Sequence, residues 1–228
     1  MTGQLAMPMP GSVQSVVQSR TNGPLLATVA QLWIGDDDQV LDVTYGRGAF
    51  WTVQRPRHLT THDIAIDGVD FRQLPEGDAS VDVVVFDPPY IPQGGRETST
   101  LSRIETGDHQ NLRTSDGFLE RYGLVDGPRS VAEPEQLVAD GMTEATRVLR
   151  PRGRLLVKCM DYVNGSRYIQ GRHHVVGTAT GLGLRQVDEF VHYSGVGPQP
   201  ERDVQYHSRR AHSFLCVFRK PARWRADR

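Results

Sequence analysis

Cysteine is scarce in this chain: Cys159 and Cys216 are the only two among 228 residues. Each lies in an apolar run, which argues against a disulfide framework or a thiolate metal cluster and for buried strand thiols in a reducing compartment. Lysine is just as scarce, with Lys158 and Lys220 the only lysines among 26 basic residues. No stretch approaches the roughly 18–20 consecutive apolar residues that a membrane-spanning helix needs. Met1 to Val17 lacks the basic start and apolar core of a signal peptide, so the expected location is cytoplasmic, with no membrane partner. Adjacent histidines occur once, at His173-His174. Neighbours on a helix point to different faces, so no metal is expected there. Internal repeats are absent.

What remains suits one α/β domain. The length gives a sizeable single core and leaves too little chain for two generous domains. The formal charge of −1 conceals an asymmetry. Residues 1–90 carry five Arg against eleven Asp and Glu, a charge of −6, and the remainder carries +5. Arginine presents a planar donor fork that suits phosphate, so a basic second part is compatible with nucleic-acid contact and equally with a solvated surface.

The opening Met1–Gly11, rich in Pro, Met and Gly, reads as a flexible tail. Residues 12–220 read as the domain, and 221–228 as a basic tail. Within the domain the pattern predicts a helix over Pro24–Trp33, a strand at Val40–Val43, a brief helix toward Gln54, and a strand at Leu59–Thr61. Val81–Phe86 is a nearly continuous apolar run of the kind found in sheets buried on both faces. A helix follows from Pro134 to Leu149, then a Pro151-Arg152-Gly153 turn and a strand at Arg154–Cys159. A helix over Tyr168–Thr180 and strands at Leu184–His192 and Ala211–Phe218 complete the pass. Alternation of this kind predicts a mostly parallel sheet with helices on both faces. The last two strands lack a helix between them, so one runs antiparallel near the end. Two long connections, 91–133 and 193–210, follow strands at the same edge and read as substrate-facing loops.

Two motifs carry chemistry. In Val40-Leu41-Asp42-Val43-Thr44-Tyr45-Gly46-Arg47-Gly48 a strand delivers an acid into a turn with two spaced glycines. Glycine allows close backbone approach there, and open α/β sheets bind ligands across such strand ends. Asp87-Pro88-Pro89-Tyr90 closes the Val81–Phe86 run, 45 residues after Asp42. At average composition this tetrapeptide occurs by chance in about one chain of this length per thousand. The prolines fix a stiff elbow that donates no backbone hydrogen bond, which leaves the Pro88 carbonyl as an acceptor beside the Asp87 carboxylate. Tyr90 adds a flat face for stacking. Two acceptors and an aromatic face match an exocyclic –NH2 on a planar ring.

The ordered pair of glycine turn and Asp-Pro-Pro-Tyr resembles class I S-adenosylmethionine (SAM)-dependent methyltransferases, in particular DNA amino-methyltransferases acting on adenine N6 or cytosine N4. The likeness spans roughly residues 13–220. Arg147–Lys158 is similar to that fold's helix end, turn and fifth strand, and Ala211–Lys220 to its terminal strand. The resemblance implies a Rossmann-like mostly parallel sheet and SAM as cofactor. It implies that Asp42, Gly46 and Gly48 line the methionine moiety with Tyr45 close by. Asp63 would hold the ribose hydroxyls, with Asp67 a rival, while Asp70 would meet the adenine amine and Phe71 pack on its ring. Asp87 and Pro88, stiffened by Pro89, would hold the target amine, and Tyr90 would stack on a base turned out of the helix.

Two departures stand against that pattern. Only Ile64–Val69 intervenes where the family has a helix and a third strand, and no region the size of a recognition domain is present. With the cofactor turn first, the permuted arrangement does not apply. The resemblance implies DNA adenine as the substrate, with an RNA base, cytosine N4 and a catalytically silent SAM-fold module as alternatives. Oligomeric state is not readable from the sequence.

Overall fold

A computed structural model describes residues 15–19, 21–89, 132–164, 167–193, 206–208 and 210–223. Nine strands and three helices lie among them: β1 Val17–Ser19, α1 Asn22–Trp33, β2 Gln39–Asp42, β3 His58–Thr61, β4 Val81–Phe86, α2 Ala132–Val148, β5 Leu149–Cys159, β6 Tyr162–Asn164, β7 Arg167–Ile169, α3 Gly171–Gly181, β8 Arg185–Tyr193 and β9 His212–Arg219. A single 3-10 turn, Ala49–Trp51, follows the glycine turn. Among the described residues no helix is long and apolar enough to cross a membrane. The tail 1–11, Tyr90, most of the 91–133 connection and most of 193–210 lie outside the described residues.

Seven strands form one sheet in the order β1-β8-β9-β5-β4-β2-β3, and β6 and β7 form a separate hairpin. β3, β2, β4 and β5 pair in parallel. β9 is antiparallel to both β5 and β8, so the reversed strand is inserted inside the sheet. This is the Rossmann-like, mostly parallel architecture, and helices cover both faces. Successive strand residues face opposite layers. Val40, Val83, Val85, Leu156 and Val217 pack with α1, while Leu41, Val84, Phe86, Leu155 and Phe218 pack with α2 and α3. Val83, Val84, Val85 and Phe86 are fully buried. Each such side chain contributes about 1.5–3 kcal/mol on leaving water, which holds β4 central.

Three local readings change. Tyr168 belongs to β7, and the helix starts only at Gly171. There a Cβ would strike the Met160 carbonyl, so the chain turns tightly at a residue without one. β5 begins at Leu149, and the Pro151–Gly153 turn is a bulge within it: Val81 pairs Leu149 but Val83 pairs Arg154. Arg152 takes a positive φ of 71° in that bulge. Finally, β1 adds a parallel edge strand beside β8 that the sequence pattern does not announce. No strand occurs between Thr61 and Val81, so β3 is the sheet's edge, in keeping with the shortened segment.

Candidate functional site

The parallel strands β2, β3, β4 and β5 all end at one edge, and each delivers a charged residue there or just beyond: Asp42, Asp63, Asp87 and Lys158. Asp42 is buried. Its Oδ2 accepts from Trp51 Nε1 at 2.7 Å and its Oδ1 from the Thr44 amide at 3.0 Å. Burial pushes its pKa up to about 7, the hydrogen bonds from Trp51 and Thr44 pull it down, and the nearby charges of Asp87 and Asp63 push it up. Asp42 therefore feels both neighbouring carboxylates.

The glycine turn is built by close approach. Gly46 and Gly48 take φ of 52° and 70°, a region that costs most other residues about 1–2 kcal/mol. A Cβ on Gly48 would stand 2.7 Å from the Tyr45 hydroxyl, so the tyrosine ring folds over the turn only because that side chain is absent. Asp63 is buried beneath it: its Oδ2 accepts from the Gly46 amide at 2.9 Å and its Oδ1 from the Ala65 amide at 2.9 Å. His62, just before it, donates its amide to the Asp42 carbonyl at 2.8 Å and accepts from the Tyr45 amide at 3.1 Å. Its ring nitrogens meet Asp67 Oδ2 at 2.7 Å and Glu76 Oε1 at 2.8 Å. Burial lowers the His62 pKa, but the bonds to Asp67 and Glu76 outweigh it and the net shift is upward. Asp67 is thus committed to His62, and its Oδ1 accepts from the Asp63 and Val69 amides.

Asp87 leaves β4 with its amide donating to Thr44 Oγ1 at 2.7 Å, a direct tie between the Asp-Pro-Pro segment and the glycine turn. Its carboxylate is about one-quarter exposed, and Pro88 and Pro89 are buried. Asp70 and Phe71 stand on the segment behind. Asp70 accepts three hydrogen bonds from the Arg72 guanidinium, the shortest from Nη2 to Oδ2 at 2.6 Å, and one from its amide, and the side-chain bonds above all hold the Asp70 carboxyl below the usual range. Phe71 is buried, its ring 5.1 Å from that of Phe86, the residue before Asp87.

Four residues of this edge escape motif reading. Thr44 and Trp51 orient Asp42 and Asp87. Lys158 Nζ stands 3.7 Å from Asp87 Oδ2 and donates to Asn22 Oδ1 at 2.8 Å, so α1 also reaches the site. The start of α1 approaches closely because Gly23 has no Cβ, which would otherwise strike Thr52 Oγ1. A ligand lying across this edge would meet a carboxylate-rich floor, a turn open to close approach, and one ammonium.

No protein-family model matches the chain, and no curated protein matches it. Solved structures do share its architecture in part. A candidate DNA modification methylase from Thermus thermophilus, complexed with S-adenosyl-L-methionine, is 16% identical over 82% of this chain and 57% of that one, with a TM-score of 0.41. A candidate methyltransferase from Bacillus halodurans is 13% identical over 86% of this chain and 98% of that one, with a TM-score of 0.47. A SAM-dependent methyltransferase from Methanosarcina mazei is 10% identical over 86% and 98%, with a TM-score of 0.44. The chain spans a little over half the length of the Thermus protein. Likenesses this distant carry no argument about activity.

Proposed function

We propose that this protein transfers a methyl group from SAM to the exocyclic amine of a nucleic-acid base, with adenine N6 in DNA as the first candidate. The observation that carries the reading is the Asp42–Thr44–Asp87 chain of hydrogen bonds, which ties the Asp-Pro-Pro elbow to the glycine turn at the end of a parallel sheet. The residues fit the cofactor. SAM bears a sulfonium and an ammonium, and the edge offers the carboxylates of Asp42, Asp63 and Asp87 around a turn in which Gly46 leaves open space where a Cβ would stand. Asp42, Gly46 and Gly48 would hold the methionine moiety, with Tyr45 over the turn. Asp63 would take the ribose through the remaining lone pairs of oxygens that already brace the turn, and Asp70 and Phe71 would flank the adenine. Bound SAM supplies an electrophilic methyl group.

The chain's own residues then act on the acceptor. An aromatic amine is a poor nucleophile because its lone pair is delocalised into the ring. Asp87 and the Pro88 carbonyl accept its two N–H bonds, favour a pyramidal nitrogen, and stabilise the positive charge that develops on it. Pro88 and Pro89 fix those acceptors, and fixed orientation lowers the barrier further. Once methylated, the nitrogen carries the positive charge and passes one proton to the Asp87 carboxylate and from there to solvent, so no histidine base is required. Tyr90, outside the described residues, is assigned to stack on the base.

The test incubates the protein with labelled SAM and, separately, unmethylated duplex DNA, single-stranded DNA and bulk RNA, and identifies the methylated nucleoside by mass spectrometry. N6-methyladenine in DNA is the expected product. Asp87→Ala should lower turnover by about 10²–10³-fold, as loss of one transition-state hydrogen-bond partner does elsewhere, while SAM binding persists. Label in RNA alone moves the substrate to RNA, a reading that the lack of a region the size of a recognition domain keeps open. No transfer to any nucleic acid overturns the proposal.

A further inference from the structure

The last residue but one of strand β5 is a lysine that neither motif accounts for. Lys158 is only 7% exposed. Burying a cation costs several kcal/mol unless it is well partnered, so its partners are informative. Asn22 Oδ1 accepts from its Nζ at 2.8 Å, Asp87 Oδ2 lies 3.7 Å away, and the Phe50 ring lies 5.6 Å below. The pairing of Phe86 with Val157 sets Asp87 and Lys158 side by side at the strand ends. An apolar residue could have closed β5 without this cost, as Val157 and Leu156 do one and two positions earlier.

The chemistry of the pair defines what it can read. An ionised carboxylate only accepts, and an ammonium only donates, through three N–H bonds. Asn22 engages one and Asp87 lies within reach of a second, which leaves a donor for a ligand. Acceptor and donor side by side complement a donor and acceptor side by side on a ring. That is the amine and neighbouring unprotonated ring nitrogen of adenine or cytosine. A ring N–H beside the amine, as on the N1 side of guanine, would set donor against donor.

We propose that Lys158 is a specificity-determining residue that donates to the ring nitrogen next to the target amine while Asp87 holds the amine itself; this rests on the base-amine reading above. A cation near a nitrogen that is gaining positive charge works against the transfer step. Lys158 therefore serves recognition, and its removal acts on KM more than on kcat.

The test is a double-mutant cycle between the side chain and one atom of the base. Oligonucleotides carry the site mapped for the unaltered protein, with the target base intact or lacking that nitrogen (1-deazaadenine, or 3-deazacytosine for a cytosine product). Losing the ring nitrogen should lower kcat/KM about tenfold or more in the unaltered protein, as loss of a hydrogen bond to a charged group does. In Lys158→Met the same change should cost less than about threefold, since the partner is already gone. Lys158→Met should retain SAM affinity and raise KM more than it lowers kcat. Lys158→Leu, which likewise has no donor, replaces it if the methionine variant does not fold, while Lys158→Gln, which keeps a donor, should recover part of the sensitivity to the ring nitrogen. Equal losses in both proteins overturn this inference and leave the methyltransferase reading standing. If the unaltered protein methylates no nucleic acid, both fall together.

Discussion

Asp42 shows how the burial of a single carboxylate couples folding to pH and, on the proposed function, to cofactor binding. Its pKa of about 7 reflects burial first, with Asp87 and Asp63 adding repulsion. The raised value means that the free protein is favoured with Asp42 protonated. Its contribution to stability is complete below the unfolded value of 3.8 and is lost as pH rises through about 7. A cationic ligand reverses the preference, because it binds the ionised form. SAM affinity should therefore rise about tenfold between pH 6 and pH 8, the change in ionised fraction across a pKa near 7. Isothermal titration calorimetry across that range checks it, and Asp42→Asn should flatten the dependence. A flat profile in the unaltered protein would show that Asp42 does not face the cation. Asp42, Gly46, Gly48, Asp87 and Pro88 were legible because each lies in a contiguous motif. Asn22 and Lys158 were not, since their bond joins positions 136 apart in the chain. Thr44 lay inside a motif, but nothing in its type announced that its hydroxyl would accept the Asp87 amide.

At the scale of elements, α2 is what holds the Asp87 end of β4 in place. Gly141 lies on the buried face of α2, against Phe86 and Phe71. A Cβ there would stand 2.5 Å from Phe86 Cζ and 2.8 Å from Phe71 Cδ2. Alanine is intrinsically better than glycine in a helix by about 1 kcal/mol. Overpacking a tight core costs about 1–3 kcal/mol, and both rings are buried within the core they would have to enter. The clash wins, and Gly141→Ala should lower stability by about 1–2 kcal/mol. In a chain of this length that shifts Tm down by several degrees, at about 2–4 °C per kcal/mol, as differential scanning calorimetry would record. Turnover should fall with it, because Phe86 directly precedes Asp87; an unchanged Tm would mean that α2 shifts away at no cost. The elements of the sheet were readable wherever a strand is buried on both faces, as Val81–Phe86 is. The β6–β7 hairpin was not, because three-residue strands give no period. Its position is fixed by contacts with segments distant in the chain, among them the Arg210 guanidinium over the Tyr168 ring at 4.6 Å.

Across the whole molecule, charge divides in the order of the chain. The first 90 residues carry −6 and contain the three carboxylates of the site, while the remainder carries +5. An acidic floor repels a polyanion, so the proposed function requires cations around it that bring nucleic acid to the edge. Arg210 is placed to do so. Phe214 of β9 pairs Cys159 at the end of β5, so the start of β9 and the residues before it lie at the same edge as Asp87. The Arg210 guanidinium stacks over the Tyr168 ring at 4.6 Å and donates to Ser208 Oγ at 2.7 Å. These contacts hold the fork without neutralising it, unlike Arg172, whose Nε is paired with Glu189 Oε2 at 2.5 Å. A phosphate contact releases counterions, and each one contributes about −0.9 to the slope of log affinity against log salt on duplex DNA. Arg210→Ala should weaken binding across all sequences alike and make that slope shallower by about 0.9. Fluorescence anisotropy over a salt series measures both, with Tyr168→Phe as a control that keeps the ring. Weaker binding at an unchanged slope would mean that Arg210 meets a base or the protein, and the phosphate track would then run elsewhere along the edge.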